Sequence, residues 1–137
     1  MKVSWLPISV VAALLSLPAA AASYRAINGV EVFPVNSHEF EVFSARGAPK
    51  EQYWCAAADF LRRQGQPWKT RVYVAQGYAR GKVSGAPSTV TFTIDPAASG
   101  VTPYEENLIT DLFTVGYSKS LTGSWKYCRK VISPLRF

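Results

Sequence analysis

The chain alternates between two hydrophobic periods. Val30-Glu31-Val32-Phe33-Pro34-Val35 and Glu39-Phe40-Glu41-Val42-Phe43 are β-rich runs separated by Asn36, Ser37 and His38, residues with turn chemistry, and they predict an antiparallel hairpin. Pro34 cannot donate to a ladder, which places the first strand at an edge or a bulge. Side chains two apart on a strand share a face, so Glu39 and Glu41 are expected on a solvated face with Phe40 and Val42 packed beneath. Between Gly47 and Gly65 the period changes. Trp54, Ala57, Ala58 and Leu61 fall at the i, i+3, i+4, i+7 spacing of a buried helical stripe, with Ala48-Pro49 as the entry and Gly65 as the exit. Asp59 and Arg63 lie one turn apart and are expected to pair on its flank. Alternation returns in Arg71-Val72-Tyr73-Val74-Ala75 and in Thr89-Val90-Thr91-Phe92-Thr93-Ile94. The Gly77 to Pro87 segment joining them is rich in Gly, Ala and Ser and reads as a flexible hairpin loop.

In the last third, Asp95 to Pro103 is a Pro/Gly/Ala/Ser linker. Thr102-Pro103-Tyr104-Glu105 has the form of a helix start with a capping box. Leu112-Phe113-Thr114-Val115 predicts a strand ending at Gly116, so the helix should give way near Asp111. Ser120 to Lys130 predicts a short helix capped by Ser120 and ending in basic residues, with a strand as the rival reading. The elements define an α+β fold: an antiparallel sheet of four to five strands packed against a central helix, with a short C-terminal helix.

The first residues change the compartment. Lys2 precedes an apolar run from Leu6 to Leu17, and Pro18 and a row of alanines lead to Ala22. This is the order of a cleavable secretory signal, residues 1–22, which leaves residues 23–137 as a single globular domain. Pro7 and Pro18 interrupt the run, whereas a membrane anchor needs about 20 predominantly apolar residues. The domain is therefore expected to be periplasmic or secreted, with no membrane span after cleavage. The full chain holds 15 basic and 9 acidic residues, and loss of Lys2 leaves 14 against 9. Lys126, Arg129, Lys130 and Arg136 gather near the C-terminus, but no recognition motif accompanies them, and nucleic acid is not an expected partner.

Cys55 and Cys128 are the only thiols and stand 73 residues apart. In an exported chain an even pair is most simply a disulfide. A zinc site would need C-x-x-C or H-x-x-x-H spacing, and a nucleophilic cysteine a nearby base. No metal site and no cofactor is expected. His38, the single histidine, must serve any Ser/His/Asp or Cys/His mechanism, yet it lies in a turn. Gly77, Gly81 and Gly85 match neither phosphate-loop pattern. The many Trp and Tyr rings read as core and hairpin packing. Tyr78, on the mobile loop, is the ring left for a ligand, with Arg80 and Lys82 beside it. No catalytic residue is assigned. The first expectation is a non-catalytic domain that binds an unknown protein or envelope component through that loop and the basic C-terminal surface. The alternatives are a small periplasmic enzyme using His38 or a carboxylate near Asp59, and a disulfide-stabilised enzyme inhibitor.

Tyr53-Trp54-Cys55-Ala56-Ala57-Ala58-Asp59 and the later Tyr127-Cys128 carry a resemblance. The chain resembles small exported alphaproteobacterial proteins of unknown function, in which W-C-A-A-A/G-D begins a helix and an aromatic-Cys pair closes the domain. The resemblance implies export and disulfide pairing and transfers no catalytic residue.

Overall fold

The computed structural model describes Ser4, residues 23–104 and residues 111–129. The rest of the expected signal segment and the residues after Arg129 lie outside the described part, as does the body of the helix expected from Thr102.

Among the described residues six strands form one sheet: β1 (Tyr24–Arg25), β2 (Glu31–Pro34), β3 (Glu39–Phe43), β4 (Arg71–Ala79), β5 (Thr89–Thr93) and β6 (Ser118–Ser120). Their order is β1-β2-β3-β5-β4-β6, and every pairing is antiparallel. The expected hairpins are present. Asn36 makes the first turn, its Oδ1 accepting the backbone N–H groups of His38 at 2.9 Å and Glu39 at 2.8 Å. Pro34 sits where β1, which pairs only with Glu31 and Val32, leaves β2 uncovered. The missing donor there costs no ladder bond. The sheet exceeds the expected four to five strands because two short edge strands are added.

Helix α1 (Lys50–Arg63) enters from Pro49 and leaves through Gly65. Gly65 has φ +83°, and the backbone N–H of Gln66 donates to the Leu61 carbonyl at 3.0 Å, closing the last turn in the way glycine permits. The burial exceeds a stripe: Tyr53 through Leu61 are all buried. One side packs on Val32, Phe40, Val42, Val72, Val74, Val90 and Phe92, the inward residues of β2 to β5. Trp54 meets the Phe92 ring at 4.9 Å and donates its indole N–H to the Leu112 carbonyl at 3.1 Å. Another side is covered by helix α2 (Leu121–Trp125) and the 3-10 turn Lys126–Cys128 that continues it. Ala56, Ala57 and Ala58 are fully enclosed, and their small side chains let neighbouring elements approach. Ser120 caps α2 as expected, its hydroxyl accepting the Gly123 N–H at 3.1 Å.

Cys55 and Cys128 are joined, with Sγ atoms 2.04 Å and Cα atoms 5.0 Å apart. Both are fully buried, so the bridge fastens the C-terminal helical segment to the middle of α1.

One expected element is overturned. Leu112–Val115 is a pair of turns and not a strand. The Asp111 carboxylate accepts the Phe113 N–H at 2.9 Å and the Asp111 carbonyl accepts the Thr114 N–H at 3.3 Å, which curls the backbone. Lys50 donates to the same carboxylate at 2.7 Å and holds its carboxyl below the usual range. Gly116 then takes φ +88°, and a side chain there would collide with the Thr102 carbonyl. The chain reaches the sheet two residues later as β6, whose Ser-Lys-Ser sequence carries no strand signal.

A Cys55→Ser/Cys128→Ser double variant is expected to lose about 4 kcal/mol of stability, since the bridge closes a long loop in the unfolded chain. Urea denaturation of wild type and variant measures the difference, and equal midpoints would remove the bridge from the account of stability.

Candidate functional site

The alternation places Glu41 on the sheet face away from α1, as read from the sequence, but the face is not solvated there. Segment 80–88 folds back across it, and Glu41 is 1 % exposed. Its carboxylate accepts three successive backbone N–H groups, from Lys82 at 2.8 Å, Val83 at 3.0 Å and Ser84 at 2.9 Å. Consecutive amides converging on one anion form the kind of concavity that binds phosphate in other proteins. Here the protein's own carboxylate fills it. Gly81 is required beside it, because a side chain there would overlap the Ser84 hydroxyl and the Glu41 carboxylate. The segment expected to be a flexible loop is thus pinned, and its first residues, Gly77 to Ala79, belong to β4.

The three expected contact residues separate. Tyr78 is 51 % exposed on β4, edge-on to Tyr53 and Phe113 at ring distances of 6.0 and 5.0 Å. It lines a groove of about 370 Å³ with Tyr53, Pro87 and Ser88. Burial pushes the Tyr53 phenol above its ordinary value. Arg80 is turned back on its own loop, donating to the Gly85 carbonyl at 2.9 Å. The backbone of Lys82 serves Glu41, and the residue opens on a different groove, with Val35, Gln76 and Thr91.

His38 stands in the hairpin turn with the Ser37 hydroxyl 3.4 Å from Nδ1. No carboxylate among the described residues bonds to its ring. Asp59 is buried and accepts the Tyr24 hydroxyl at 2.7 Å and the Ile27 N–H at 2.9 Å. Its second oxygen is 3.8 Å from Arg63, the pairing that the helical spacing predicts. These bonds tie β1 and the segment after it to α1. Among the described residues no group of three His, Cys, Asp or Glu side chains could hold a metal ion. No described helix is long and apolar enough to cross a membrane.

A surface that the sequence reading assigned to packing is open. Trp68 is 42 % exposed, and its ring meets Trp125 in a T-shaped contact at 5.7 Å. The Arg62 guanidinium lies 4.1 Å from the Trp68 ring centre, a cation–π contact that braces the indole. Trp68, Thr122, Trp125 and Arg129 line a shallow groove of about 450 Å³. The halves of this groove come from the turn after α1 and from α2. They are held together by the Leu121 N–H on the Thr70 carbonyl at 2.9 Å and the Thr122 N–H on the Trp68 carbonyl at 3.2 Å. Residues 60–71 and 118–129 together carry Arg62, Arg63, Lys69, Arg71, Lys119, Lys126 and Arg129 and not one Asp or Glu. The signal was present in the sequence as two tryptophans each followed by a lysine, Trp68-Lys69 and Trp125-Lys126, within acid-free segments.

The architecture defines the class: an α+β domain with one buried disulfide, an antiparallel sheet and a basic aromatic surface at the end of its central helix. No protein-family model, curated protein or solved structure matches the chain.

Two outcomes follow from the buried carboxylates. Glu41→Gln places an amide N–H against backbone N–H donors and is expected to cost about 3 kcal/mol. Limited proteolysis should then cut within residues 81–86, and an intact loop in the variant would show that the carboxylate does not hold it. The Tyr24 phenol is pushed up to about 12, by burial first and then by its bond to Asp59. The folded state therefore keeps a proton that the unfolded chain releases near 10. That contribution to stability is whole below pH 10 and lost as pH rises toward 12. Tyr24→Phe should flatten this alkaline loss, as followed by denaturation midpoints across that range.

Proposed function

We propose that this chain is a non-catalytic binding domain that works outside the cytoplasm and holds a negatively charged protein or envelope component. One observation carries the reading: two packed segments, neither holding a carboxylate, bring the exposed Trp68 and the half-buried Trp125 together among basic residues. An acid-free field of this kind attracts anions over roughly a Debye length, about 8 Å at physiological salt, and the indoles add apolar contact once the partner arrives. The contact surface assigned here is the Trp68–Trp125 groove. The Gly77 to Pro87 segment is given a different task, since its amides and Arg80 are engaged in holding its own shape.

The proposed setting rests on the signal-like start of the chain and on a disulfide that oxidising compartments preserve. The resemblance to small exported proteins with the same W-C-A-A helix points the same way.

Retention on immobilised heparin, a generic polyanion, tests the reading. Lys69→Glu with Lys126→Glu should elute at clearly lower salt than wild type. Arg25→Glu with Arg46→Glu, at a separate groove, makes the same change of net charge and should move elution less. Equal shifts would mean that net charge alone acts, and absence of retention in wild type would remove the anion-binding function.

A further inference from the structure

We propose that the Trp68–Trp125 surface docks on an anionic phospholipid bilayer, with the two indoles entering the headgroup region and Lys69, Lys126 and Arg129 meeting lipid phosphates. The inference rests on the reading of this surface as an anion-binding one and names its partner.

Three features select a lipid surface over a discrete anion or an acidic peptide. The first is the shape of the site. A single bound anion needs donors that converge, as the amides around Glu41 do. Beside the groove the Arg62 guanidinium instead donates to the Gln66 carbonyl at 2.7 Å and lies over Trp68, while Lys69, Lys126 and Arg129 are exposed and spread over two segments. Spread cations suit a plane of mobile headgroups, where each meets its own phosphate.

The second is the chemistry of the rings. Trp is the side chain that settles at the membrane–water boundary, because it presents a large apolar body and one N–H. Trp54 is fully buried and spends its N–H inside the core. Trp68 and Trp125 are the tryptophans of the described residues that reach the surface, and they do so side by side. The third is charge: residues 60–71 and 118–129, which supply the groove, hold seven Lys and Arg and no Asp or Glu, and the nearest acid in sequence, Asp59, is buried and pairs with Arg63. Neither feature alone binds firmly, since shallow apolar insertion and electrostatic attraction each give only reversible attachment, and together they reinforce.

The measurement uses residues 23–137, because residues 1–22 form an apolar run that would itself seek a bilayer. This piece carries every described core residue, from Ala26 to Cys128, and the disulfide. Vesicles of phosphatidylcholine alone are compared with vesicles of phosphatidylcholine mixed equally with phosphatidylglycerol. The protein should co-sediment with the second and not the first, with a blue shift of tryptophan emission and release by added salt. Lys69→Glu and Lys126→Glu should each weaken binding at least about fivefold. Trp68→Ala with Trp125→Ala should abolish the blue shift. A reading on wild type alone guards against variants that fail to fold: lipids carrying a nitroxide near the headgroup should quench much of the emission, and the remainder should come from Trp54.

Equal binding to both vesicles, or anionic binding without quenching, overturns the proposal. Retention on heparin with no vesicle binding overturns the lipid partner and leaves the anion-binding function standing. Loss of both removes the two readings together.

Discussion

The structure depends on one helix being enclosed on more than one side. From Tyr53 to Leu61 every residue of α1 is buried, so the helix behaves as a core element and not as an amphipathic cover on a sheet. An α-helix in that position must satisfy two packing partners at once. Three consecutive alanines make this possible, because a bulkier residue at Ala56, Ala57 or Ala58 would hold one partner away. The aromatic rings on either side do the filling: Trp54 and Phe60 reach the sheet at Phe92 and Phe40, and Tyr53 reaches Phe113. The disulfide fixes the second partner against the first through Cys55, which lies immediately before that alanine run.

Much of this was legible. The helix is bracketed by Pro49 and Gly65, whose backbone preferences are local. The four longer strands show their alternation, and a pair of cysteines in a chain with a signal-like start has few other uses. The departures have physical causes. Leu112–Val115 has the composition of a strand, but Asp111 captures its backbone and Gly116 bends it, and local hydrogen bonds of that kind defeat a weak propensity. Edge strands β1 and β6 are two and three residues long and polar, so no periodicity announces them. They exist because β2 and β4 offer unpaired edges.

Glu41 shows a subtler limit. The pattern gave its side correctly, since side chains alternate with certainty along a strand. Whether that side meets water depends on where a distant loop comes to rest, and the sequence of β3 holds no record of it. The tryptophans are the reverse case. Trp54 and Trp68 look alike as letters, and only the packing of α1 on the sheet and on residues 112–117 encloses the first, while the turn after α1 leaves the second open. A surface made by bringing two segments together cannot be read from either segment alone.

The bridge between Cys55 and Cys128 has a consequence beyond stability. Trp68 follows the end of α1, while Trp125 and Arg129 flank Cys128, so the covalent link and the groove share their scaffolding. Reduction would therefore leave the backbone bonds of Leu121 to Thr70 and of Thr122 to Trp68 as the ties between its halves. In a reducing environment the chain would carry every residue of the groove without its covalent fastening. With both thiols reduced, the molecule would keep the composition of this surface but a loosened geometry.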